Sequence, residues 1–204
     1  MAGNPAPQTG GQFSLREELR RKSLHLAMII IPLWVAFTPR QTTLLGLIIA
    51  TFMTVAVDLL RLSDQRLKRF FSRLFQSLIR RHEEEHLIGS TYYMIAALLS
   101  VIVFDKDIAT AALTFLVLGD AAAAIVGKRF GRPAYWGKSL EGSAACFFVC
   151  LAVGLPLLAD WRVALIGAAS ATVAEALPVP MDDNMRVPIL GGMAMHLAGT
   201  LLAG

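Results

Sequence analysis

Charge is scarce in this chain: 17% of its 204 residues are Asp, Glu, Lys or Arg, 55% are hydrophobic, and the mean hydropathy is +0.58. Those values exclude an ordinary soluble domain. Short alternating segments are also missing, which removes a β-barrel. Basic residues do not interleave with aromatics, so no nucleic-acid partner is expected, and the net charge of +4 suits a membrane surface better. Cysteine is limited to Cys146 and Cys150, one helical turn apart in an apolar run; they read as buried structural thiols rather than a disulfide or metal site. No inverted internal repeat of the transporter kind is visible. LREELRRKSLHLAMIIIPLWVAF has the outline of a signal peptide, but VAFTPR lacks a small-residue cleavage site and the rest of the chain is as apolar.

What the chain does have is long apolar blocks between short polar breaks. Spans of about 20 residues are what a helical membrane protein needs. Seven blocks are expected to cross, at 24–37, 42–60, 87–104, 108–126, 142–159, 163–177 and 187–203. The first and sixth are short enough to tilt or re-enter. The expected fold is therefore all-α: a polytopic membrane bundle of about seven helices plus one interfacial amphipathic helix. Residues 1–12 (MAGNPAPQTGGQ) read as a flexible tail and 13–204 as one integral-membrane domain.

Within that domain, 61–86 differs in kind. Leu67, Phe70, Phe71, Leu74, Phe75, Leu78 and Ile79 recur at helical spacing, with Arg66, Arg69, Arg73 and Arg80 on other faces. The pattern fits a helix lying at the membrane surface, or one packed on the protein's own loops.

Loop charge orients the bundle. One set of ends carries Arg16, Arg20, Arg21, Lys22, then Arg61 to Arg81, then Lys128, Arg129, Arg132 and Lys138, and finally Arg186; the other carries only Arg40, Lys106 and Arg162. The positive-inside rule then places the N-terminus and the chemistry in the cytoplasm and the C-terminus on the opposite side.

The stretch 119–143, GDAAAAIVGKRFGRPAYWGKSLEGS, gathers the elements of a phosphate–metal site. Asp120 is a carboxylate near the end of the fourth span, which marks a site or a structural ion pair. Ala123, Ala124 and Gly127 keep one face smooth, for a ligand's approach or for helix packing. GRPAYWGKS is not a P-loop: five residues separate its glycines and no strand precedes it. Even so, Gly127, Gly131 and Gly142 let backbone N–H groups reach an anion, and Lys128, Arg129 and Lys138 supply positive charge. Ser139 is a candidate cap for the fifth span, with Glu141 suiting the positive helix end. Glu175, then Asp182, Asp183 and Asn184 between two Pro-bounded turns, could hold a hard cation such as Mg²⁺ or form a solvated turn. Arg21, Lys22 and His25 open the first span as phosphate ligands or as a snorkelling anchor. Asp58, Arg61, His25 and Glu175 are expected near the lipid interface of the site. His196 reads as a core histidine, and His82 and His86 as surface residues despite helical metal-pair spacing.

ELRRKSLH, GDAAAAIVGKRFGR with GKSLEGS, and EALPVPMDDNMRVPIL, in this order, resemble the signatures of the CTP-dependent lipid kinase family, which includes dolichol, phytol and diacylglycerol kinases. DLLRL followed by RRHEEEHLIGSTYY looks most like the diacylglycerol kinase branch. The resemblance runs from about Glu18 to Met195. It implies transfer of the γ-phosphate of CTP to a lipid alcohol, with Mg²⁺ as companion ion. By it, Arg21, Lys22, Asp120 and Gly127 fall on functional positions, while Lys138, Glu141, Asp182, Asp183 and Asn184 match other signature positions. The resulting expectation is that Asp120 with Asp182 or Asp183 holds the metal, assisted by Glu141, and that Arg21, Lys22 and Lys138 cradle the polyphosphate. The nucleotide is expected along Gly127 to Gly131 and Lys138 to Gly142, with Asn184. Homo-oligomerisation is left open. Two competing functions are a CTP:lipid-phosphate cytidylyltransferase, whose C-terminal signature PVPMDDNMRVP does not match, and a small transporter, which would carry acids at mid-membrane rather than at one surface.

Overall fold

A computed structural model of the protein describes residues 25–74 and 86–203. The expected tail, Arg21, Lys22, His82 and the apolar positions at 75–79 lie outside the described residues. The described chain forms α1 (Ile30–Phe37, within an apolar helical stretch His25–Phe37), α2 (Arg40–Ser63), α3 (Gln65–Leu74) and α4 (Gly89–Val103). A continuous helix follows, made of α5 (Lys106–Thr114), a π-helical segment (Phe115–Gly119) and α6 (Asp120–Phe130). A hairpin, β1 (Pro133–Tyr135) and β2 (Lys138–Ser139), leads to α7 (Leu140–Leu157), α8 (Trp161–Ala176) and α9 (Asp183–Ala203).

Each apolar block is thus a helix, and four helices are long and apolar enough to cross a membrane: Arg40–Ser63, Lys106–Phe130, Leu140–Leu157 and Asp183–Leu202. His25–Phe37 and Gly89–Val103 are shorter apolar helices. Lys106–Phe130 is the axis of the bundle, the most buried of the four, with α1, α4, α7, α8 and α9 packed around it. The periphery shows the reverse pattern. On α2, Leu45, Ile48, Ile49, Phe52 and Met53 point outward, the apolar surface that a bilayer covers.

Close helix contacts are made where side chains are small, because lipid removes the hydrophobic drive between helices and leaves packing to do the work. Antiparallel α6 and α7 meet at Gly127 and Gly142; a methyl group added at Gly142 would stand 2.8 Å from the Ala123 carbonyl oxygen. Of the two uses expected for the smooth face, helix packing is the one seen at Ala123 and Gly127. Gly142→Ala is expected to destabilise the fold by about 1–3 kcal/mol through forced separation of α6 and α7. A thermal-unfolding midpoint equal to wild type would contradict that close packing.

Helix boundaries follow local chemistry. Ser139 accepts from Gly142 N and caps α7, Asp160 accepts from Arg162 N and caps α8, and Asp182 closes the first turn of α9. The amphipathic segment begins later than expected, because α2 continues through Arg61 to Ser63 before Asp64 breaks the helix. The hairpin was not expected in an all-α chain. Trp136 (φ 44°) and Gly137 (φ 77°) both occupy left-handed backbone, as a two-residue hairpin turn requires.

Candidate active site

Asp58, Arg61, Lys138, Glu175, Asp183 and Arg186 lie where α4, α7 and α9 begin and α2 and α8 finish, whereas Arg40, Asp105, Lys106, Asp107, Asp160 and Arg162 lie at the opposite helix ends. Asp120 opens α6 directly after the π-helical segment, an irregularity often found where helices carry function. The helix runs ten residues past Asp120, so the carboxylate sits about 15 Å inside its end. Its Oδ2 lies 3.4 Å from His25 Nε2, and both side chains are largely enclosed. Behind it, Cys146 and Cys150 pack on Gly119 as free buried thiols, their sulfurs 4.0 Å apart, and Cys150 donates to the Phe115 carbonyl.

Lys138 belongs to β2 and not to the helix that follows. Its ammonium donates to the buried Glu175 carboxylate at the end of α8. Burial pushes the lysine down, but the bond to Glu175 and the charges of Glu175, Asp183 and Asp120 outweigh it and hold the group above its ordinary range. The lysine therefore stays charged through neutral pH. Three carboxylates from α6, α8 and α9 act on one ammonium, which places Asp120, Glu175 and Asp183 in a single electrostatic neighbourhood.

Several expected ligands are occupied by the fold. Asp182 Oδ1 accepts from Asn184 N at 2.9 Å and from Asn184 Nδ2 at 2.8 Å, forming the turn into α9. Asp183 binds Arg186. Glu141 accepts from Arg132 N at 3.3 Å, tying α7 to the hairpin. Among the described residues, no three His, Cys, Asp or Glu side chains converge on one metal position. The expected set of Asp120, Asp182, Asp183 and Glu141 is thus not assembled as a protein-only cage. Gly127, Gly131 and Gly142 all crowd Ser139, whose hydroxyl fills the space beside them. Lys128 and Arg129 stand exposed on the last turn of α6, with the Arg129 guanidinium 5.4 Å from the Phe130 ring.

Asp58 and Arg61 are not at a lipid-facing surface; each is 2% exposed. Arg61 Nε donates to Asp58 Oδ1 at 2.9 Å and Arg61 Nη2 to the His86 carbonyl at 2.6 Å. Asp58 Oδ2 accepts from Ile88 N at 2.8 Å and Thr91 Oγ1 at 2.7 Å. The pair stitches the end of α2 to the start of α4, closing the loop that carries α3. His196 packs on Phe104, with ring centroids 6.1 Å apart, as a core residue.

Arg186 was overlooked by sequence reasoning, which counted it only as a loop charge. It is buried, and it donates to the carbonyls of Ala174 (2.6 Å), Val179 (3.1 Å), Met181 (3.2 Å) and Glu175 (3.4 Å) as well as to Asp183. One guanidinium thus shapes the whole α8–α9 turn and sets the backbone that carries Glu175. Its position between two prolines was the available signal.

No family model and no solved structure matches the chain. Curated proteins do. An uncharacterized protein of Rickettsia prowazekii is 28% identical over 84% of this chain and 90% of its own. The CTP-dependent diacylglycerol kinase 1 of Saccharomyces cerevisiae is 25% identical over 91% of this chain and 75% of its own. A probable chloroplastic phytol kinase of Triticum aestivum is 37% identical over 64% of this chain and 50% of its own.

Proposed function

We propose that the chain, as a member of the CTP-dependent lipid kinase family, transfers the γ-phosphate of CTP to the hydroxyl of a membrane lipid. Diacylglycerol is the favoured acceptor, and phytol- or polyprenol-type alcohols are the alternatives. Relatedness to a diacylglycerol kinase along 91% of the chain carries this reading. The clustering of Asp120, Lys138, Glu175 and Asp183 at one end of the helices supports it.

Phosphoryl transfer asks a protein for positioning and charge neutralisation more than for covalent chemistry. Lys138, with Lys128 and Arg129 on the projecting end of α6, meets the polyphosphate; Arg21 and Lys22, just before His25 in sequence, add further positive charge. Asp120 accepts the proton of the lipid hydroxyl as its oxygen bonds to the γ-phosphorus. The bond from that phosphorus to the β–γ bridging oxygen breaks, and CDP leaves. His25 holds the Asp120 carboxylate in place. A Mg²⁺ ion bound with the nucleotide would supply further positive charge for the phosphates, and such an ion would need only one or two protein carboxylates. Asp120 would meet that demand, whereas Asp182, Asp183 and Glu141 are engaged with Asn184, Arg186 and Arg132.

In this reading all seven helices cross the membrane, with the shorter ones accommodated by local thinning, and the site end faces the cytoplasm. The deciding experiment supplies γ-labelled CTP to protein in lipid bilayers with a panel of lipid alcohols. Label is expected in the phosphorylated lipid and CDP in solution. Transfer of the CMP portion would establish a cytidylyltransferase instead, and no turnover with any alcohol would remove the enzyme reading.

A further inference from the structure

The hairpin between α6 and α7 carries a large aromatic residue where one is costly. Trp136 occupies left-handed backbone (φ 44°), a conformation that bulky residues adopt only when the surroundings impose it. Its side chain is nevertheless 66% exposed. It is also braced from within the protein: the Tyr135 ring stands edge-on to it, centroids 5.8 Å apart, and the Tyr135 hydroxyl is bonded to Ser143 on α7. A hairpin that strains its backbone to display a braced indole has a partner for that indole.

The surroundings indicate which partner. Leu140, at the base of β2, is exposed like Phe148 and Leu155, and the spacing of these three puts them along one outward stripe of membrane-length α7. The stripe therefore reaches the foot of the hairpin, and Phe130 on the other side of it is exposed too. Arg129 and Arg132 are exposed beside these apolar groups. Tryptophan with flanking arginines is the composition that settles at the headgroup level of a bilayer, the ring among the upper acyl chains and the cations on phosphates.

We infer that the Pro133–Ser139 hairpin is an interfacial anchor, with Trp136 inserted into the headgroup region of the bilayer. This does not depend on the reaction catalysed. It places Lys138, two residues from the indole, at the depth where lipid headgroups lie.

The test uses the full chain in bilayer discs with Trp34→Phe and Trp161→Phe, leaving Trp136 as the sole tryptophan. Lipids brominated near the top of the acyl chain are expected to reduce its emission by about twofold, because an interfacial ring lies within about 5–10 Å of that depth. Aqueous iodide is expected to quench it weakly. Efficient iodide quenching without a bromolipid effect would overturn the inference, and so would quenching by CTP alone, which would make the indole a base-stacking platform. If the double variant does not fold, the wild type labelled with 5-fluorotryptophan, compared with Trp136→Phe, gives the same answer from broadening of the Trp136 fluorine resonance by paramagnetic lipid. Absence of that broadening would likewise overturn it.

Discussion

Asp120→Asn is expected to lower phosphate transfer by about 10²–10⁴-fold while leaving the unfolding temperature close to wild type. The substitution preserves shape and removes the charge proposed to accept the hydroxyl proton. Its location makes the separation of activity from stability meaningful: the carboxylate is partly accessible, 3.4 Å from His25, on a helix otherwise held by thiol, alanine and glycine contacts. A carboxylate whose role was only to pair with His25 would give the opposite pattern, a lower unfolding temperature with turnover retained in the folded fraction. Steady-state transfer from γ-labelled CTP, with calorimetry on the same preparations, distinguishes the two. Retained turnover at wild-type stability would reject Asp120 as the base.

Asp58→Ala is expected to cost about 3–5 kcal/mol of stability, the loss seen when one member of a buried ion pair is left without the other. Arg61 would keep its bond to His86 but lose the buried carboxylate of Asp58, and Ile88 N and Thr91 Oγ1 would lose their acceptor. Arg61→Met is expected to be comparably damaging. Combining Asp58→Leu with Arg61→Met should cost less than the sum of the single losses, since no charge is then stranded. Denaturation of the four proteins in one detergent measures the coupling. Strict additivity would show that the two side chains do not act as a pair.

How much of this was legible in the sequence depends on whether a residue's role is local or assembled. The helices were legible because apolar blocks of span length admit few other structures in lipid. Ser139 as a cap was legible for a similar reason, since a hydroxyl three residues before a free N–H at a helix start is a local arrangement. The π-helical turn was not: FLVLG is an ordinary apolar string, and its widened geometry comes from what packs around it. Asp58 and Arg61 are expected at the lipid interface from their place at the end of the second apolar block. Only the three-dimensional return of the chain at His86 to Thr91 shows them facing inward. Arg186 was illegible for the same reason, its carbonyl acceptors being spread over four positions at the end of α8 and in the turn that the arginine itself organises. In the candidate site, Asp120 and Lys138 stand out by residue type, but the partner of Lys138 does not, because Glu175 is 37 residues away.

The π-helical segment gives the central helix two independent rotational phases. Since each residue of an α-helix advances about 100°, taking up one extra residue between Thr114 and Asp120 turns everything after it relative to everything before, without bending the axis. Lys106–Thr114 can thus be selected for burial among its neighbours, while the azimuth of Asp120 is set separately towards His25. Forcing FLVLG into regular α-helix with all its residues kept would leave the composition of the core unchanged, yet swing the carboxylate about a quarter-turn away from the end of α1.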